Sequence, residues 1–240
     1  MENLSKRLSS WIANKVIDAK AQGVVFGLSG GIDSAVVGIL CKKVYCQNTL
    51  ALIMPCQSIE RDIKDALDIT NRFDITYKII DLSEIYNSFI SLLNVKKEKT
   101  CINLSEANIK PRIRMITLYY FANELNYLVV GTGNKSELAV GYFTKYGDGG
   151  VDILPLGNLL KSQVKELAEY LEVPKSIIQK PPSGGLWEDQ TDEGEMGISY
   201  HQLDEYLMTG QLKNQKIEEK IKNKIFLNRH KQKTPAIPKF

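Results

Sequence analysis

The sequence is short of the residues on which metal-stapled and disulfide-stapled domains depend. It has four cysteines and two histidines in 240 residues, and Cys41, Cys46, Cys56 and Cys101 form no C-x-x-C pair. Neither a zinc site nor a disulfide framework is expected, and the thiols suit a reducing compartment. No run approaches the roughly 20 apolar residues that span a bilayer. Residues 11–20 are interrupted by charge and do not read as the apolar core of a secretion signal. Net charge is also scarce: 31 Lys and Arg face 28 Asp and Glu, a formal +3, too little to argue for nucleic acid. The basic residues gather at 213–239, where only Glu218 and Glu219 oppose them; a solvated helix face is the ordinary meaning of such a run. No internal repeat or low-complexity tract appears. What remains is an ordinary globular composition, 43% hydrophobic and 25% charged, expected to form one cytoplasmic domain over residues 1–240 with no membrane or nucleic-acid partner.

Short apolar runs alternate with helical patterns for two-thirds of the chain. Residues 24–28, 50–54, 77–80 and 127–131 read as buried strands, and 33–45, 59–73, 82–93 and 105–125 as helices. Val-, Ile- and Leu-rich runs separated by helices imply an α/β fold, a doubly wound parallel sheet with helices on both faces. Right-handed crossovers then gather the C-terminal strand ends at one edge, where such sheets bind ligands. Residues 94–104 and the glycine-rich stretch 141–151 read as loops, the second as an excursion over a site. Residues 161–171 return to an amphipathic helix, with Val164, Leu167, Ala168 and Leu171 on one face. Residues 183–199 show no period and suit a lid.

The most informative segment follows the first strand: Gly27, Leu28, Ser29, Gly30, Gly31, Ile32, Asp33, Ser34. Adjacent glycines let an anion approach the main chain, and the N–H groups of the helix that follows point at it. Asp33 places a carboxylate beside that anion, which suits a bridging Mg²⁺. A plain Gly/Ser turn is the bland alternative. The spacing is neither that of a Walker loop nor that of a dinucleotide fingerprint. After the fourth strand come Thr132 and Glu137; Thr132 is placed to contact a nucleotide. Glu137 is a second hard-oxygen ligand, or a first-turn acid serving a helix dipole.

The segment Ser29-Gly30-Gly31-Ile32-Asp33-Ser34 resembles the SGGxDS loop of the N-type ATP pyrophosphatases. Further pieces are more specific: Asn108-Ile109-Lys110-Pro111-Arg112-Ile113-Arg114-Met115; Gly141-Tyr142-Phe143-Thr144-Lys145-Tyr146-Gly147-Asp148; Leu186-Trp187 with Gln190-Thr191-Asp192-Glu193; and His230-Lys231. Together they make the chain similar to the ammonia-dependent NAD⁺ synthetases from the first strand to the C-terminal tail. The resemblance implies an adenine nucleotide alpha hydrolase-like fold and a ligase acting in NAD biosynthesis. Its substrates would be ATP, deamido-NAD⁺ and ammonia, its products NAD⁺, AMP and pyrophosphate, with an acyl-adenylate between.

It also implies residue roles. Gly27, Leu28, Ser29, Gly30, Gly31, Ile32, Asp33 and Ser34 would hold the ATP phosphates, with Thr132, Lys161 and Ser183 also on ATP. Asp33 and Glu137 would hold Mg²⁺ and, with Lys161, form the catalytic group. Arg112, Lys145, Asp152, His230 and Lys231 would bind the dinucleotide. Without the resemblance, Lys161 and Arg112 read as solvated cations, Asp152 as a turn residue and His230 as a helix cap. The chain has no room for the amidase domain that glutamine-dependent members carry. A homodimer is implied, with the helix segment 115–121 a candidate contact. The acidic pair Glu188-Asp189 departs from the pattern. Two other readings remain open: a related ligase modifying tRNA, and a non-catalytic adenine-nucleotide sensor.

Overall fold

The computed structural model describes residues 1–93, 104–187 and 189–238. Among the described residues four short strands form one sheet: β1 Gly23–Gly27, β2 Thr49–Ile53, β3 Thr76–Ile79 and β4 Tyr127–Val130. Their order is β3-β2-β1-β4 and every pairing is parallel, with Val25 beside Leu50 on one side and Val129 on the other. An isolated parallel bridge from Val130 to Ile153 extends the β4 edge. The chain steps outward from β1 to β2 and β3, then crosses to β4 on the far side of β1. The point where that order reverses lies between β1 and β4, above the loops that the sequence singles out.

Two apolar layers explain the strands. Val24 and Phe26 of β1, with Ala51 and Ile53 of β2, join a core built with α1 (Glu2–Asp18), α2 (Ile32–Val44), α3 (Glu60–Arg72) and α8 (Lys161–Tyr170). Val25, Leu50, Leu52 and Val129 point the other way, onto α4 (Ser83–Leu92) and α6 (Ile109–Leu125). The side-chain period of two, apolar on both faces, is that of a sheet covered on both sides. A smaller third cluster, Val140, Met196, Ile198, Tyr200, Leu203 and Ile221, sits beyond the β4 side. It joins α7 (Lys135–Val140), α10 (Asp192–Met196), α11 (Tyr200–Thr209) and α12 (Gln215–Asn228).

The expected strands are each found within a residue of their boundaries, but β3, at the sheet edge, is exposed along its length and not buried as expected. Two further expectations are corrected. The helix over 105–125 is broken at Asn108 into α5 (Leu104–Ala107) and α6. Pro111 has no N–H to give Ala107, so it belongs in a first turn, where no acceptor is needed; Asn108 meanwhile accepts a 2.6 Å hydrogen bond from Thr144 Oγ1. The stretch 183–199 is not featureless: Thr191 caps α10 through Gly194 N–H, and Gly197 closes it in the left-handed conformation. The loop expected at 94–104 lies outside the described residues except for Leu104, and Glu188 lies outside them too.

Candidate active site

The phosphate loop is shaped by its two serines. Ser34 Oγ accepts from Ser29 N at 3.2 Å, lies 3.1 Å from Ser29 Oγ and donates to Gly31 O at 2.9 Å. Gly31 N donates in turn to Ser29 Oγ at 3.3 Å. Gly30 has φ +77°, and a Cβ there would stand 2.3 Å from Asp62 O; only glycine fits both demands. Among the described residues no side chain caps α2, and Gly31, Ile32, Asp33 and Ser34 at its start line the cleft, which leaves first-turn N–H groups available to an anion.

A second group of side chains converges from β4 and from α8. Asn134, fully buried, caps α7 in a reciprocal box: its Oδ1 accepts from Glu137 N at 3.1 Å, and Glu137 Oε2 accepts from Asn134 N at 3.1 Å. Its Nδ2 also donates to Asp33 Oδ1 at 2.9 Å, so one amide joins the two strand ends. Lys161 Nζ donates to Asp33 Oδ2 and, at 3.2 Å, to Glu137 Oε1. Glu137 Oε1 also accepts from Tyr200 OH at 3.2 Å, and that hydroxyl sits 2.8 Å from Asp192 Oδ2. Among the described residues, Asp192 Oδ1 is buried with no hydrogen-bond partner within bonding distance.

Burial dominates the electrostatics. It pushes Glu137 up to about 7, against the pull of Lys161. Burial alone would lower Lys161, but Asp33 and Glu137 outweigh it and hold the ammonium above its ordinary value. Asp192 is raised by burial despite the Tyr200 hydroxyl, and Tyr200 is raised by burial and by both neighbouring carboxylates. The cluster therefore keeps Lys161 protonated and holds the Glu137 carboxyl above its ordinary value.

A cleft of about 450 Å³ joins the two groups. It is lined by Gly27, Leu28, Ser29, Gly31, Ile32, Asp33, Ser34, Thr132, Glu137, Lys161, Ser183 and Lys231; Gly30 shapes the loop from behind. The other dinucleotide candidates stand apart. Arg112 is exposed and reaches Lys145 O at 3.5 Å, and Lys145 Nζ reaches His230 O at 3.0 Å. His230 is in a 3-10 turn, Arg229–Gln232, its Nδ1 3.0 Å from Leu227 O. Asp152 is committed within the fold, accepting from Tyr119 OH at 3.0 Å and Val129 N at 2.8 Å. Lys231 holds the glycine-rich loop through Gly141 O at 2.7 Å and Phe143 O at 3.0 Å.

Several supporting residues escaped the sequence reading. Asp204 of α11 accepts from Ser136 Oγ at 2.5 Å and from Ser162 N at 2.9 Å, fixing α7 to the start of α8 and so placing Lys161. Lys180 is held by Asp62 and, at 2.8 Å, by Asp65. Gln190 ties the lid to the glycine-rich loop: its Nε2 donates to Glu195 Oε2 at 2.9 Å, which also accepts from Tyr142 OH at 2.8 Å. Only the Asn-x-x-Glu spacing at 134–137 and the Ser-x-x-Gln spacing at 199–202 left a local signal, as capping boxes.

Comparison with known proteins bears on this geometry. The NAD synthase family model matches residues 4–236. The NH(3)-dependent NAD(+) synthetase of Carboxydothermus hydrogenoformans is 48% identical over 237 residues, 99% of this chain and 97% of that one. Its namesake in Syntrophomonas wolfei is 48% identical over 234 residues, covering 96% and 93%. Among solved structures, the NMN synthetase of Francisella tularensis superimposes with a TM-score of 0.93 at 40% identity, covering 100% of this chain and 98% of that one. The NH3-dependent NAD synthetase of Campylobacter jejuni gives 0.80 at 36% identity, covering 99% of each. The chain belongs to the NAD synthase family.

Proposed function

We propose that this protein is an ammonia-dependent NAD⁺ synthetase, a ligase that forms a C–N bond in the amidation of deamido-NAD⁺. A carboxylate resists an amine because its leaving group would be oxide. ATP removes that obstacle: the pyridine carboxylate attacks the α-phosphorus, pyrophosphate leaves, and an acyl-adenylate forms. Ammonia then attacks the acyl carbon, AMP departs, and the extra proton of the new amide passes to solvent. The observation that carries the reading is one cleft holding both an uncapped phosphate loop and the Asp33–Lys161–Glu137 cluster.

In this reading the loop residues 27–34 cradle the ATP phosphates, with Thr132 and Ser183 on the nucleotide. Lys161 offers a mobile point charge to the phosphoryl oxygens as negative charge develops there. Asp33 and Glu137 fit a hard cation, since Mg²⁺ is commonly held by one or two carboxylates together with substrate phosphates; they would hold Mg²⁺, which supplies charge neutralisation to the polyphosphate. Arg112, Lys145, Asp152, His230 and Lys231 are assigned to the dinucleotide, the first four at the margin of the cleft. The chain acts as a single domain, taking ammonia rather than nitrogen from a fused amidase. We assign a homodimer contact to the face where α4 and α6 expose Ile85, Phe89, Ile116 and Tyr120, and a cytoplasmic setting. Among the described residues no helix is long and apolar enough to cross a membrane.

The superposition on the Francisella tularensis protein favours a second reading, amidation of the corresponding mononucleotide. One assay separates the two. Purified protein is incubated with ATP, Mg²⁺, ammonium and either nicotinic acid adenine dinucleotide or nicotinic acid mononucleotide. NAD⁺ is followed through a coupled dehydrogenase and NMN by chromatography, with AMP and pyrophosphate in parallel. NAD⁺ formed in step with AMP and pyrophosphate supports the first reading. A higher kcat/KM for the mononucleotide supports the second, and ATP binding without either product overturns both.

A further inference from the structure

The cations around the cleft are nearly all spent. Lys161 is shared by Asp33 and Glu137, and Lys180 by Asp62 and Asp65. Lys231 gives its protons to two loop carbonyls. Arg114, in the second turn of α6, is different. Its Nε donates to Met54 O at 3.1 Å and its Nη2 to Ser58 Oγ at 3.4 Å. Among the described residues neither contact is a carboxylate, and Nη1 has no protein acceptor. The nearest acids are engaged elsewhere: Asp62 with Lys180, and Asp148 with Thr144 N at 2.9 Å.

The side chain is half-buried in the cleft wall, beside Met54, Pro55 and Ser58 just past the end of β2. Burial lowers the guanidinium from its ordinary value, with Cys56, Asp148 and Asp62 only partly opposing that effect. A charge partly withdrawn from water, with no carboxylate hydrogen-bonded to it among the described residues, gains from a ligand that supplies a counter-ion. Its fixed fork of donors matches phosphate geometry, and here part of that fork is already aimed by two protein acceptors.

We propose that Arg114 is an anion-binding residue of this active site, taking a phosphate oxygen of a bound substrate on the wall formed by α6 and the segment after β2. The proposal rests on the ligase reading above for its ligands: ATP, pyrophosphate and the pyridine dinucleotide all carry phosphate. The two roles divide the work. Lys161 exchanges partners among carboxylates, whereas Arg114 has none to leave, so it provides attraction before any rearrangement occurs.

The test is calorimetric titration of the full chain with ATP, pyrophosphate and deamido-NAD⁺ separately, in wild type, Arg114→Gln, Arg114→Lys and Ser58→Ala. Loss of charge and fork in Arg114→Gln is expected to weaken at least one ligand about tenfold or more. Arg114→Lys is expected to fall between it and wild type. The ligand most affected identifies the phosphate that Arg114 meets. Ser58→Ala, which removes only the neutral contact, is expected to change all three affinities less than about threefold. The proposal is overturned if Arg114→Gln binds all three ligands within twofold of wild type, or if Ser58→Ala reproduces its loss. Should the glutamine variant not fold, the lysine variant decides: weakening beyond threefold supports the proposal and wild-type affinity overturns it. If wild type binds ATP yet forms no NAD⁺, the ligase reading falls while the ATP and pyrophosphate titrations still judge Arg114.

Discussion

Replacing Lys161 by methionine removes the charge at the centre of the site while keeping an apolar stem over the Tyr200 ring, whose centroid lies 5.0 Å from Nζ. The lysine side chain is 11% exposed, and those of Asp33 and Glu137 are 16% and 15% exposed. Removing one partner of a buried ion pair costs about 3–5 kcal/mol, because the remaining charge stays out of water. At about 2–4 °C per kcal/mol for a domain of this size, the melting temperature should fall by roughly 6–20 °C at pH 8. Glu137 sits at about 7 in the folded protein against an ordinary 4.5. Its proton is thus held more tightly when folded, and the associated stability is complete below about pH 4.5 and lost as pH rises through about 7. Without Lys161 the carboxyl titrates higher still. Its protonation at pH 6 then removes one uncompensated buried charge, so the deficit should be clearly smaller than at pH 8. Thermal melts of wild type and variant at the two pH values decide. A variant that melts within about 2 °C of wild type at both, or whose deficit is the same at both, would refute the reasoning.

Asp33→Asn keeps the hydrogen bond with Asn134 within reach but removes the negative charge; pyrophosphate release should become undetectable while far-UV circular dichroism stays unchanged. Gly30→Ala must bear a φ of +77° and a Cβ 2.3 Å from Asp62 O; ATP titration should show at least about tenfold weaker binding, and wild-type affinity would end the cradle reading. Asp204→Asn replaces a charged acceptor of two hydrogen bonds and should cost about 1.5–3 kcal/mol in urea unfolding, with lower kcat as Lys161 loses its placement. Arg112→Ala should raise KM for the pyridine substrate more than for ATP in steady-state assays; the reverse would move Arg112 to the nucleotide end.

The centre of the sheet was legible because β1 and β2 are short apolar runs that have to be buried on both faces, whereas the edge strand β3, Thr-Tyr-Lys-Ile, is exposed along its length. Nothing in residues 24–27 or 50–53 offers a polar side to solvent, so a half-exposed strand was never an option. The break at Asn108 was less visible. Pro111 stood in the sequence, yet a proline three residues past a boundary and one inside a kinked helix look alike until the acceptor of its missing N–H is known. The α10 turn escaped for a different reason. Its five residues, Asp192–Met196, carry too little periodicity to register, and its stability comes from the Thr191 cap and from Met196 in the third apolar cluster.

The site divides along the same line. The loop at 29–34 is chemistry written in consecutive residues: glycines for approach, serines to brace the turn, a carboxylate at the helix start. Asn134 and Glu137 are only three residues apart, so their capping box leaves a local trace. Asp204, Tyr200 and Lys180 leave none, because each has a partner 42 or more positions distant that no local pattern reveals (Asp204 with Ser162, Tyr200 with Glu137, Lys180 with Asp62). Their types are ordinary for helix surfaces, and only folding gives them a partner. Arg114 is the sharper case. Its neighbour Arg112 attracts the functional reading from sequence, yet Arg112 is exposed and weakly held while Arg114 faces the cleft. Two residues on a helix are about 200° apart, so when one arginine lies at the margin the other turns inward. Sequence resemblance marks the pair; the rotation of α6 against β2 decides which guanidinium meets the cleft.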